Sequence, residues 1–213
     1  MRIITQEGTV PADSVLPTFI GLFPGLIDPL DIKVRDSFFT PSQASVIGRV
    51  PEVVVAGVGA WAATSVTLVQ PGDGGFLEGR STGRSHAYLD LGQTTYDVLG
   101  VFRTEAGFNS TRAIVSRYQD ENNNYEIRLS DTTGGAVFNR VVGNVRTVIG
   151  AGSIGPAGEI VRAKLEVTPT SVRAYVDDVL IGEDVSTTFA DATSAAIFIE
   201  GIRGRCLDFI AGW

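Results

Sequence analysis

Cysteine and histidine are nearly missing from this chain: one of each, Cys206 and His86, stands in 213 residues. A single thiol excludes an intramolecular disulfide and any cysteine-cluster metal site, so packing has to hold the fold. Lying in an apolar run, Cys206 reads as a small core residue. No Ser-His-Asp arrangement is recognisable, and the single histidine, His86, which alternates with Tyr88 and Asp90 on the polar face of a strand, reads as structural. Positive charge is also short, with 17 Lys and Arg against 24 Asp and Glu and a net charge of -7. Phosphate backbones are bound by cationic surfaces, so no nucleic-acid partner is expected. No run comes near the roughly 20 apolar residues of a membrane span, and Met1 to Glu7 holds no apolar core of signal-peptide length. The expectation is therefore no membrane insertion and synthesis in a cytoplasm. Gly72-Asp73-Gly74-Gly75 lacks the lysine and following helix of a phosphate loop. No cofactor is expected, and heptads and fibrous repeats are missing.

What the chain does have is glycine, 25 residues of it, with only 19% charged and 44% hydrophobic residues. That balance suits strands and turns, and this length suits one all-β domain. From Arg112 to Asp184 apolar and polar residues alternate. Tyr125, Ile127 and Leu129 interleave with Glu126 and Arg128. Val161, Ala163, Leu165 and Val167 interleave with Arg162, Lys164 and Glu166, and Val172, Ala174 and Val176 with Arg173 and Tyr175. A period of two is the mark of strands half buried against a core. Turn-forming residues break the pattern at 120–124, 132–135, Gly143-Asn144, Pro169-Thr170 and Asp177-Asp178, which predicts one antiparallel meander. Upstream, Tyr96 to Arg103 is almost continuously apolar, as a central strand would be.

Residues 1–35 differ. Prolines at 11, 17, 24 and 29 interrupt regular structure, yet Phe19, Ile20, Leu22, Phe23, Leu26, Ile27 and Leu30 form an apolar stretch that needs a surface to lie on. Either it straps across its own domain or it is an arm that docks on a neighbour. The expected division is thus an irregular N-terminal arm, 1–35, and a sandwich, 36–213.

Asp36-x-Phe38, Gly48-Arg49-x-Pro51-Glu52, Trp61, Asn124-Tyr125, Arg140-Val141-Val142-Gly143, Val176-Asp177-Asp178 and Leu207-Asp208-Phe209 follow in order. In this series the chain resembles the concanavalin A-like, or laminin G-like, jelly rolls of bacteriophage structural proteins. The resemblance implies an all-β, antiparallel two-sheet jelly-roll sandwich. It also implies a place in a virion, with the major capsid protein or other virion proteins as partners and a homo-oligomer, a trimer first, as the assembled form. Glucanases of this fold carry a Glu-x-Asp-x-x-Glu strand that sets its carboxylates on one face. That string does not occur here, and the densest acidic group, Asp177-Asp178 with Glu183-Asp184, is spaced as a hairpin turn and the loop after it. No catalytic residue is expected.

Two ligand readings stay open. Asp120, Glu121 and Asn122 offer oxygen ligands of the kind calcium takes, although such residues also simply form turns. Tyr118, Tyr125 and Trp213 could stack on a glycan of a host surface. The first functional expectation is a capsid decoration or cement protein docked through its arm. Next comes a head or tail fibre adhesin that binds host glycans, and third a lectin or glycoside hydrolase.

Overall fold

The computed structural model describes residues 31–38, 44–63, 68–70, 76–79, 84–103, 110–156, 158–201 and 204–213, together with a two-stranded ladder of β1 (Ile4–Thr5) and β2 (Gly8–Thr9). The apolar stretch from Phe19 to Leu30 lies outside the described residues. Every regular element described is a strand. After the first ladder come β3 (Ile32–Asp36), β4 (Ala44–Ser45), β5 (Val53–Val54), β6 (Ala62–Ala63), β7 (Leu68–Gln70), β8 (Leu77–Gly79), β9 (Arg84–Asp90) and β10 (Tyr96–Arg103). They are followed by β11 (Thr111–Asp120), β12 (Asn123–Ser130), β13 (Gly135–Val142), β14 (Val145–Ser153), β15 (Ile160–Thr168), β16 (Ser171–Val176), β17 (Val179–Val185), β18 (Ser194–Glu200) and β19 (Arg205–Gly212). β3 runs across the expected division between residues 35 and 36.

Two antiparallel sheets face each other. One has the order β14-β13-β12-β11-β18-β9-β6; the other runs β17-β16-β15-β10-β19-β8-β7-β4, with β3 also on β19 and β5 on β3. Between them lies the core, with Ile114, Tyr125, Ile127, Phe138 and Ile197 from the first sheet and Val98, Phe102, Leu165, Val172 and Phe209 from the second. The alternation read from the sequence puts these side chains inward, as strand geometry requires. The expected single meander is instead two: β11 to β14 in one sheet and β15 to β17 in the other. A crossing between sheets leaves no trace in a period of two, because both meanders alternate alike. Glu183 and Asp184 also differ from expectation, since they belong to strand β17 and not to a loop.

The turns form where they were read. Gly143 and Asn144 have φ of 57° and 67°, and Asp177 and Asp178 have 46° and 68°. Two successive left-handed residues make the tight hairpin that matches strand twist.

The series from Asp36 to Trp61 proves to be a structural staple. The Asp36 carboxylate, fully buried, accepts hydrogen bonds from the Trp61 indole at 2.9 Å, the Phe38 amide at 2.9 Å and the Arg49 guanidinium at 2.8 and 2.9 Å. Arg49 also reaches Glu52, which accepts from Ser37 Oγ at 2.6 Å. Trp61 packs edge-on against Phe209 of β19. One carboxylate thus ties the irregular segment after β3 to the core, and a fully partnered buried charge of this kind costs little only while every partner stays.

β11 carries the irregularity that matters most for the surface. Ala113 and Val115 face outward and Ile114 inward, so plain alternation would send Arg117 out and Tyr118 in. A bulge at Arg117, with φ of 44°, reverses this. Its guanidinium turns in to the carbonyl oxygens of Ser186, Thr188 and Thr168, and its amide donates to the Tyr96 hydroxyl. Tyr118 is thereby delivered to the outer face.

Candidate functional site

The outer side of the seven-stranded sheet brings rings and charged groups together. Because Ala87, Leu89, Ile197, Ile199, Ile127 and Leu129 point into the core, their neighbours point out. These are Arg84, His86 and Tyr88 on β9, Phe198 and Glu200 on β18, and Glu126 and Arg128 on β12. Register aligns them across strands: His86 faces Phe198 and Arg84 faces Glu200, while Ala113 of β11 lies between Phe198 and Arg128.

The result is a row of rings over a floor of small residues, Ala113, Val115 and Ala196; Tyr118, His86 and Phe198 are buried and Tyr88 is partly exposed. Ring centres are 5.1 Å apart for Tyr88 and Tyr118, 5.7 Å for Tyr118 and His86, and 4.9 Å for His86 and Phe198. These are the spacings at which aromatic faces attract. At the Phe198 end two guanidinium groups lie near the ring, with the carbon of Arg128 at 5.2 Å and that of Arg84 at 5.7 Å from its centre.

Glu200 joins the two arginines: its Oε2 accepts from Arg128 Nη2 at 3.0 Å and lies 3.9 Å from Arg84 Nε. Glu126, deeper in the face, accepts from Arg146 Nε at 2.8 Å and lies 3.8 Å from Arg128 Nη1. That Nη1 is buried and makes no hydrogen bond among the described residues. Burial, then the charges of Arg84, Arg128 and Arg146, hold His86 down at about 4, so the imidazole is neutral at pH 7. Burial likewise raises the Tyr118 phenol.

Of the three residues read as possible glycan contacts, Tyr118 alone joins this row. Tyr125 faces the core and its hydroxyl donates to Asp184 at 2.8 Å, while Trp213, half-buried, packs against the core. The three make no common platform. His86, expected on a polar face, is buried there between Phe198 and Tyr118. The Asp120 carboxylate accepts from the Asn122 amide and the Asn123 side chain, so it closes the β11–β12 turn. Among the described residues no group of three or more His, Cys, Asp or Glu side chains could hold a metal ion. Cys206 is buried, as its apolar setting suggested.

Arg84, Arg128, Arg146, Glu126, Glu200 and Phe198 were not singled out from the sequence. Each occupies the outward phase of its strand, and only the register brings them together.

The opposite outer face has a smaller polar cluster. Asp97 and Glu166 are direct cross-strand partners. Both oxygens of Glu166 are taken, by Lys164 Nζ at 2.7 Å and the Tyr175 hydroxyl at 2.9 Å. Burial pushes Asp97 up to about 6.

With this geometry in hand, likeness to known proteins is informative about architecture. No protein-family model matches the chain, and none of the curated proteins matches it in sequence. Among solved structures, it resembles the carbohydrate-binding module CBM66 from Bacillus subtilis, with a TM-score of 0.54 at 14% identity over 72% of this chain and 95% of that one. It also resembles the carbohydrate recognition domain of Emp46p, with a TM-score of 0.54 at 9% identity over 71% of this chain and 87% of that one. The K247S mutant of the GH43 protein BlXynB from Bacillus licheniformis gives a TM-score of 0.60 at 10% identity, over 84% of this chain but 39% of that one. The fold is therefore a concanavalin A-like jelly-roll sandwich. At these identities the likeness defines the fold alone, and the surface has to be read from its own residues.

Proposed function

We propose that this chain is a binding module without catalytic activity, which holds a carbohydrate against the outer face of its seven-stranded sheet. The observation that carries the reading is the partly exposed set Tyr88, Arg84, Arg128 and Glu200, held in place by the buried rings of Tyr118, His86 and Phe198. A sugar ring offers C–H faces to aromatic planes and hydroxyls to planar donors and acceptors, and a few placed polar groups beside apolar rings are the usual make-up of a ligand site. The names of the solved relatives, two of them carbohydrate-binding domains, support the same reading. Both carboxylates of the face are ion-paired with arginine, which supports binding over acid-base work.

A glycan array tests the proposal. Binding is expected to fall about tenfold in Tyr88→Ala and in Arg128→Gln, at unchanged melting temperature, as loss of one stacking or charged contact implies. An array without signal would overturn it. Sugar release that disappears in Glu126→Gln or Glu200→Gln would replace it with a hydrolase.

A second reading is a homo-oligomeric subunit of a larger assembly, a virion cement protein among them. It is favoured by Val142, Val145, Val148, Val179, Leu180 and Val185, exposed on β13, β14 and β17. Light scattering after size exclusion tests it: an oligomer should dissociate in Val145→Lys/Val148→Lys. A monomer at every concentration would speak against it.

A further inference from the structure

We infer that the side of the sandwich where β14 and β17 close the two sheets is the contact with a second copy of this chain, packed side to side about a two-fold axis; this deepens the reading of the chain as a homo-oligomeric subunit and rests on it. β14 and β17 are the end strands of their sheets. They meet at Gly150 and Gly152, which lie against Ile181. Ile149 and Ile181 are partly buried there on the core. Around them Val142, Val145, Val148, Val179, Leu180 and Val185 are 47% to 79% exposed. Edge strands are ordinarily guarded by charged residues or proline. β14 has no proline, lysine, aspartate or glutamate in its nine residues, and its one charge, Arg146, is turned to Glu126.

Area and charge both suit a second copy. The six exposed side chains present on the order of 500 Å2 of apolar surface, near the top of what one patch on a monomer shows. At the roughly 65% apolar share of a homodimer interface, this corresponds to about 800 Å2 on each copy, the size of a standard stable interface. Copies with a net charge of -7 repel in most orientations. Along this side, however, the charges are matched in pairs, Arg140 with Asp184, Arg162 with Asp177 and Arg173 with Glu183. Arg140 lies opposite Thr147 and holds Asp184, while Gly150 and Gly152 lie by Ile181, so β14 and β17 run in opposite directions. The start of β14, with Arg140 and Arg146 partly exposed, is therefore one end of the strip, and the β16–β17 turn with the exposed Asp178 is the other. A two-fold axis across the strip sets the Asp178 end of each copy against the arginine end of the other, and every contact is made twice.

Sedimentation velocity of the whole chain over a range of concentrations decides the matter, and an equilibrium between monomer and dimer is expected. Val148→Lys on β14 and Leu180→Lys on β17 should each raise the dissociation constant about tenfold or more, since each would bury a charge among apolar side chains. Asp178→Lys should raise it several-fold, an effect that shrinks with added salt. All three positions are exposed, so circular dichroism should show the fold of each variant unchanged. A dimer unmoved by Val148→Lys and Leu180→Lys overturns the inference but leaves the oligomer reading standing, with its contact elsewhere. A trimer or a larger ring overturns the two-fold contact in the same way. A tighter dimer in Asp178→Lys also overturns it, because the acidic ends would then face each other. A monomer at every concentration overturns both the inference and the oligomer reading.

Discussion

Asp97 shows how one residue can make stability depend on pH. Burial pushes its carboxyl from the ordinary 3.8 up to about 6, with Glu166 and Asp31 adding to the rise and Lys164 opposing it. A carboxyl raised in the folded state contributes stability that is fully present below about pH 4 and is lost as pH rises through about 6. Asp97→Asn should therefore match the parent below pH 4. Above pH 6.5 it should be more stable by about 1 kcal/mol, a figure discounted for the solvent that screens a half-buried group. Urea titrations at pH 4 and pH 7.5 check this, and an equal gain at both would refute it. His86, depressed to about 4, works in the opposite sense: its contribution is present above about 6.5 and is lost as pH falls through 4. The contrast between parent and variant isolates Asp97 from it. At this scale the sequence was only partly legible. Asp36, Arg49, Glu52 and Trp61 were visible as a series, but their convergence on one buried carboxylate depends on a loop path that local spacing does not encode.

Among elements, β11 and the β14–β17 seam carry most of the consequences. The bulge that sends Arg117 inward and Tyr118 outward is what places Tyr118 in the ring row. A bulge is invisible in the alternation of 112–118, where Ile114, Ser116 and Tyr118 share one phase, and the structure resolves the phase break in favour of three carbonyl partners for a buried guanidinium. Arg117→Ala leaves those carbonyls without their donor and should cost about 2–4 kcal/mol. Chemical denaturation measures the cost; a change under 0.5 kcal/mol, taken as roughly the noise of surface substitutions, would deny the staple.

The seam is governed by glycine. A Cβ on Gly150 would collide with the Ile181 backbone carbonyl, whereas one on Gly152 would meet only the Ile181 side chain, 2.7 Å from Cγ2. Backbone cannot step aside as a methyl can. Gly150→Ala should therefore destabilise by about 2–3 kcal/mol and Gly152→Ala by about half as much, in the range of overpacked cores. Equal costs would show that the seam yields as a whole. The strands themselves were legible because half-buried strands and two-residue hairpins write their pattern locally. The division into two meanders was not, since it depends on which sheet each hairpin joins.

For the whole molecule, β19 is the keystone. It pairs with β10 along one edge and with β3 and β8 along the other, and it supplies Phe209 to the core and Asp208 to Arg35. Truncation after Gly204 removes the middle of a sheet and should leave a chain without cooperative melting, as differential scanning calorimetry would show. A sharp transition in the truncated protein would mean that the two flanks close on each other. The sandwich class was readable from composition and turns, while the face that gathers arginines and rings was not, because its members are spread from Arg84 to Glu200 and meet only through register. The position of β19 also bears on how the protein is made. Arg35 and its partner Asp208 are 173 residues apart, so a ribosome adding roughly 5–20 residues per second needs on the order of ten seconds between them. Throughout that interval β3 has β5 beside it but not β19, with which its longer ladder forms. Closure of the second sheet thus waits for β19, and the apolar faces of the strands it joins stay unpaired in its place until it is made.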